Sequence, residues 1–212
     1  MAKSCPLEQD GEHHQECHVR QNKWSGGLCI VTTKTGRSFP GFSGISGLKM
    51  LPKLIVFDLD FTLWDCDGTW CDCLSPPFGM ESGVVMDSTK RPVTLYPDVK
   101  QILEQCKALD CEMALASRTE QPAWALSLID LLGITSYFAF SEIYPSSKVM
   151  HFSSLKKASR FEFSQMLFFD DESRNISEVS SLGVACVHVT QGLNQSLFDA
   201  SLQRFQQNHF KK

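Results

Sequence analysis

From Leu51 onward, short apolar runs alternate with segments of helical period. Leu54, Ile55, Val56 and Phe57 form an unbroken apolar run, which marks Leu54–Asp58 as a strand buried on both faces. Residues 63–96 are rich in turn chemistry, "SPPFG" included. Val99, Ile102, Leu103 and Cys106 share one face of a helix over Pro97–Leu109, with Pro97 suited to its first turn. Further strands are expected at Glu112–Ala116, Tyr137–Phe140, Gln165–Phe169 and Val184–Val189. The helices between them run over Pro122–Leu132, Lys148–Lys157, Ser173–Leu182 and Leu197–Phe205. Gly133 and Gly183 stop the first and third of these, and Ser146 or Ser147 caps the second.

Strands alternating with helices predict an α/β fold, a Rossmann-like parallel sheet with helices on both faces. In such sheets the ligand crevice lies beyond the C-terminal ends of the strands. Residues 1–50 read differently. "GEHHQECHVRQNKWSGG" is polar and "GRSFPGFSGISG" is rich in Gly and Ser, so this stretch is expected to be a flexible, disordered leader. Within it, Leu28–Thr33 has room for one short strand. Residues 51–212 then form the folded domain.

Composition narrows the function classes. The chain has 212 residues, 42% of them hydrophobic and 21% charged, which suits a globular protein with a sizeable core. A net charge of −4 provides no basic footprint for nucleic acid. The longest apolar run, Leu131–Phe140, falls short of the roughly 18 residues a membrane helix needs, so no membrane partner is expected. The first 16 residues include Glu8, Asp10, Glu12 and Glu16 and lack the apolar centre of a secretory signal. A cytoplasmic location and nine free thiols are therefore expected. Cys66, Cys71 and Cys73 have no nearby His to complete a zinc site and read as ordinary thiols.

The candidate chemistry collects at one rim of the expected sheet. Asp58 and Asp60 follow the first strand, Ser117 and Arg118 follow "MALA", Lys148 opens a helix, and Asp170 and Asp171 follow "MLFF". Four carboxylates meet only two cations there. Like charges so close disfavour ionisation unless more positive charge intervenes, which predicts a divalent metal. All-oxygen ligands without clustered His or Cys favour Mg²⁺. Lys and Ser beside such a metal suit a phosphate group. Lys148 also opposes its helix dipole by about 0.3–1 kcal/mol, a local conflict typical of functional sites.

The residues then show a likeness. "LIVFDLDFT", "ALASRT", "YPSSKVMHF" and "MLFFDDESRNI" resemble, in order, the four motifs of the haloacid dehalogenase (HAD) superfamily, and more narrowly its eukaryotic magnesium-dependent phosphatases. The likeness spans residues 51–212. It implies that Asp58 attacks phosphorus to form an aspartyl phosphate, and that Asp60 protonates the leaving oxygen and later activates water. It implies Mg²⁺ held by Asp58, Asp170 and Asp60, the last through its backbone carbonyl. Ser117 would hydrogen-bond the phosphoryl oxygens, and Lys148 would neutralise them. Asp171 and Asn175 would orient metal waters or Lys148, and Arg118 would hold the substrate's phosphate or leaving group. Dehalogenases and cation-pumping relatives lack an acid at the position of Asp60, so its presence implies a phosphatase or phosphotransferase.

Loop lengths bear on the substrate. Ser117 to Lys148 leaves room for only a helix and a strand, and residues 63–96 for a hairpin flap, so no full cap domain fits. An uncapped site would admit a phosphorylated protein side chain, such as phosphotyrosine, or a small phosphorylated molecule such as a sugar phosphate. The alternatives are a receiver-like phosphoaspartate signalling domain and a non-catalytic binding module. A receiver usually has its acidic pair early and its phosphoacceptor on a middle strand, the reverse of the order here.

Overall fold

The computed structural model describes residues 50–209. The expected leader, with its strand at Leu28–Thr33, lies outside the described residues. In chain order the elements are β1 (Leu54–Phe57), β2 (Trp64–Asp65), β3 (Gly79–Glu81), β4 (Val84–Met86), β5 (Pro92–Leu95), α1 (Val99–Ala108), β6 (Glu112–Ser117), α2 (Pro122–Leu131), β7 (Phe140–Ile143), α3 (Lys148–Ser159), β8 (Met166–Asp170), α4 (Ser173–Ser180), β9 (Ala185–His188) and α5 (Gln195–His209). Five of the strands form a parallel sheet in the order β7-β6-β1-β8-β9. The chain builds outward from β1 on one side, then crosses to build outward on the other. That reversal opens a crevice at the C-terminal end of β1, between β6 and β8.

The apolar run of β1 serves two cores. Ile55 and Phe57 face a cluster with Val99, Ile102 and Leu103 of α1, Ala125 and Leu128 of α2, and Phe198 and Leu202 of α5. Leu54 and Val56 face a second cluster with Phe152 and Leu155 of α3 and Val179 of α4. All four β1 side chains are buried, as a central strand covered on both faces requires. Phe57 stacks on Phe169 of β8, which stacks in turn on Phe198 of α5. Strand, sheet and helix thus share one aromatic column.

Two differences from the sequence expectation have clear causes. Tyr137–Phe140 was expected to be a strand, but Thr135–Tyr137 is a 3-10 turn and β7 begins at Phe140. β7 is an edge strand, so Ser141 and Glu142 sit in it comfortably while the apolar residues before it pack on the core. The turn-rich stretch 63–96 folds as a small antiparallel sheet, β2-β5-β4-β3, with a 3-10 turn at Cys71–Cys73. It is a flap, as expected, but a more ordered one. Asp87 pins it: its carboxylate accepts from the amides of Ser75, Thr89 and Arg91 at 2.8–2.9 Å and from the Thr89 hydroxyl at 2.8 Å. Between Ser117 and Lys148 lie only α2, the 3-10 turn and β7, and no cap domain intervenes.

Candidate active site

At the end of β1 the chain makes one tight turn. The amides of Thr62, Leu63 and Trp64 all donate to the Leu59 carbonyl, at 3.2, 2.8 and 3.2 Å. Phe61 sits in this turn with φ +55°, a left-handed conformation that is costly for a bulky residue. The turn leaves Asp58 at the strand end and folds Trp64 back onto Asp60.

Asp58, Asp170 and Lys148 meet in the crevice. The Lys148 ammonium donates to Asp58 Oδ1 at 2.5 Å and to the Ala116 carbonyl of β6, and lies 3.0 Å from Asp170 Oδ2. Lys148 is 1% exposed and Asp170 fully buried. Ser147 caps α3 by accepting from the Met150 amide, and so aims the first turn of the helix, with Lys148, at the sheet. Burial alone would push the Lys148 pKa down, but Asp58 and Asp170 more than offset it and the net shift is upward. Asp58 is held well above the ordinary carboxylate range, mainly by burial, with Asp170 and Asp60 adding to the rise and Lys148 opposing it. With both carboxylates ionised, the single ammonium of Lys148 would leave one negative charge uncompensated.

The Asp170 carboxylate is oriented from the helix side. Its Oδ1 accepts from the Glu172 amide at 2.8 Å, and Asn175 Nδ2 donates to both oxygens at 3.0 and 3.1 Å. Arg118 donates to Asn175 Oδ1 at 3.3 Å and to Glu172 at 3.1 Å. The predicted Arg118 is thus tied to the groups that steady Asp170. Asp171 is half-buried, and burial, followed by the nearby Asp170, raises its pKa to about 6. Its backbone carbonyl accepts from His188 at 2.7 Å.

Asp60 keeps different company. Its Oδ1 accepts from the Trp64 indole at 2.7 Å and the Cys71 amide at 3.0 Å, with Cys66 Sγ at 3.6 Å. Burial raises its pKa, against the pull of these donors. Asp58 and Asp170 therefore converge on Lys148, while the Asp60 carboxylate is gripped by the flap. A carboxyl with raised pKa, held beside an ionic pair, is suited to carry a proton. Burial also pushes the Cys66 and Cys71 thiols up, and Cys66, Cys71 and Cys73 are all free, so the two buried thiols are unreactive packing groups.

The residues present fit Mg²⁺. Among the described residues no three His, Cys, Asp or Glu side chains form a closed cage. Mg²⁺ needs none: it keeps several waters and takes one or two carboxylates. Asp58 and Asp170 are two carboxylates that could serve it, and with both ionised the buried charge exceeds what Lys148 balances. Ser117, at the end of β6, is buried beside them, its Oγ accepting from the Thr119 amide at 3.4 Å.

Several contributors escaped sequence reasoning. Trp64 and the Cys71 amide hold Asp60, and Glu172 holds both Asp170 and Arg118. Asp72, on the flap, reaches the loop after β6. Only Trp64 carried a signal, as a polar-tipped aromatic four residues after an acid; the other contacts bridge distant segments.

Comparison with known proteins agrees with this geometry. Residues 50–208 match the acid phosphatase family. Over 160 residues the chain is 45% identical to the human protein named magnesium-dependent phosphatase 1, covering 74% of this chain and 89% of that one. It is 34% identical to a HAD-like hydrolase superfamily protein of Schizosaccharomyces pombe, covering 63% and 83%. Among solved structures, a haloacid dehalogenase-like family hydrolase from Xanthomonas campestris shares the fold with a TM-score of 0.56 at 11% identity, covering 77% of this chain and all of that one. The chain belongs to the acid phosphatase family of HAD-like hydrolases, of the magnesium-dependent phosphatase type.

Proposed function

We propose that this protein hydrolyses phosphate monoesters with Mg²⁺ through an aspartyl-phosphate intermediate. The observation that carries the reading is the buried Lys148 ammonium bridging Asp58 and Asp170 at the switch point of the sheet, with charge left for one more cation. Asp58 and Asp170 would hold the metal, with the Asp60 carbonyl beside them. When bound, Mg²⁺ supplies positive charge that keeps Asp58 ionised and offsets the charge of the phosphate.

The residues divide the remaining work. Asp58 attacks phosphorus, the ester P–O bond breaks, and its electron pair leaves with the alcohol oxygen. Asp60 gives that oxygen its proton. Water then attacks the phosphorus, returning a proton to Asp60 as the Asp58 carboxylate departs and inorganic phosphate forms. Ser117 and Lys148 hold the phosphoryl oxygens, and Asn175 and Asp171 steady the acidic wall. Catalysis of this kind rests on positioning and charge more than on covalent chemistry.

Access bears on the choice of substrate. Without a cap, the crevice is open to a phosphorylated protein side chain or a small sugar phosphate. Phe61 meets Trp70 edge to face at a centroid distance of 5.9 Å, and Trp70 is 55% exposed. Both adjoin residues that touch or carry the Asp60 carboxylate, which favours an aryl ester such as phosphotyrosine over a sugar phosphate.

The test is hydrolysis of p-nitrophenyl phosphate, a phosphotyrosine peptide and a sugar phosphate. Turnover should require Mg²⁺, stop with EDTA, and fall at least about a thousandfold in Asp58→Asn. Asp60→Asn should retain some capacity to be phosphorylated while turning over poorly. Absence of turnover on a broad phosphoester panel with Mg²⁺ would overturn the reading in favour of a binding module. A long-lived phosphoaspartate without turnover would favour a receiver.

A further inference from the structure

Asp72 lies on the exposed side of the flap, within the Cys71–Cys73 turn, and plays no part in the chemistry above. It nonetheless bridges the flap to the loop after β6. One carboxylate oxygen accepts from the buried Thr119 hydroxyl, and the other accepts from the Glu120 amide at 3.2 Å. The Thr119 hydroxyl also receives the Cys71 thiol at 3.3 Å and the Gln121 amide at 3.0 Å. Each end of this crossing continues into the site. The Cys71 amide holds Asp60, and the Thr119 amide donates to Ser117 Oγ. A continuous run of hydrogen bonds therefore joins Asp60 to Ser117 through Cys71, Asp72 and Thr119.

We propose that Asp72 and Thr119 are positioning residues: their clasp sets where the proton-carrying Asp60 stands relative to the phosphoryl group that Ser117 holds. This rests on the phosphatase reading and on the acid role of Asp60 within it. Asp60 is carried by the end of β1 and its turn but oriented from the flap, whereas Ser117 is carried by β6. Sheet pairing of β1 with β6 sets the backbones. It does not set the flap, whose antiparallel strands belong to a separate sheet. The clasp, with the Cys71 thiol on the same Thr119 hydroxyl, ties the flap to the loop after β6 and so fixes the second distance. A shift of about 1 Å in such a group can cost up to about a hundredfold in rate.

The consequence is specific to the leaving group. p-Nitrophenolate leaves without a proton, while the alkoxide of glycerol phosphate must be protonated as the P–O bond breaks. Losing the clasp should therefore cost about tenfold in kcat/KM on glycerol phosphate and about twofold on p-nitrophenyl phosphate. The experiment compares Asp72→Ala, Thr119→Val, their double variant and Thr119→Ser on both esters at saturating Mg²⁺, with Asp60→Asn as reference and thermal unfolding as the check on folding. The proposal is supported if both single variants show the unequal loss, the double variant is no worse than either, and Thr119→Ser keeps the wild-type ratio. Equal losses on both esters, or none, while Asp60→Asn shows the inequality, overturn the clasp and leave the phosphatase reading standing. An Asp60→Asn enzyme that loses both esters equally overturns the acid role and the clasp together.

Discussion

Single residues here are decided by what surrounds them. His151 is fully buried, its ring edge-on to Tyr144 at a centroid distance of 4.4 Å. Its Nε2 lies 3.0 Å from the Tyr144 carbonyl, which can only accept, so Nε2 carries the hydrogen and Nδ1 is left without a partner. Burial, then the nearby Lys148, pushes its pKa down to about 4. The unfolded chain would bind this proton near pH 6.5. The stability contributed by neutral His151 is therefore complete above pH 6.5 and is lost as the pH falls from 6.5 to 4, by about 3 kcal/mol in all. Unfolding free energies measured across that window should fall more steeply for the wild type than for His151→Asn. Parallel slopes would show that the imidazole titrates no differently in the folded protein.

At the scale of elements, the flap is ordered by the carboxylate of Asp87 as well as by the burial of Leu63, Trp64, Leu74, Val85 and Val93 in the core. Of β3 and β4 only Val85 is buried, and Asp87 gathers four donors from the loops around them. Hydrogen bonds to a charged group contribute about 1.5–3 kcal/mol each when their loss strands a partner. Asp87→Ala should free the Thr89 and Arg91 amides, raising their hydrogen exchange by about tenfold or more, while amides of the parallel sheet exchange as before. Uniform acceleration across the protein would mean that the flap and sheet unfold together. At α2 a single glycine does the ending: Gly133 has φ +70° and its amide bonds the Asp130 carbonyl at 2.9 Å.

For the whole molecule, the charge left over in the crevice becomes a stability effect. A cation that binds only the folded state stabilises it by about 2.7 kcal/mol at a hundred times its dissociation constant. Mg²⁺ should raise the unfolding temperature of the wild type, and EDTA should abolish the gain. Asp170→Asn, which removes one carboxylate beside Lys148, should lose most of the response. An equal Mg²⁺ shift in wild type and Asp170→Asn would place the ion elsewhere. Among the described residues no helix is long and apolar enough to cross a membrane.

The amino-acid sequence by itself determined the layered α/β fold and the rim of Asp58, Asp60, Ser117, Lys148 and Asp170. Both follow from local signals: unbroken apolar runs, helix caps, and acids placed where strands end. Local signals also erred locally, at Tyr137–Phe140, because an apolar run looks alike whether it pairs in a sheet or packs beneath one. Only the tertiary structure decided which acids share a cation. Asp58 and Asp60 are two apart in sequence, yet Lys148 joins Asp58 to Asp170 while Trp64 and Cys71 take Asp60. It alone brought Asp72 to Thr119 across 47 positions, and turned Arg118 toward Glu172 and Asn175. Hydrogen bonds act over about 3 Å, and spacing along a chain carries no information about which distant segments come that close.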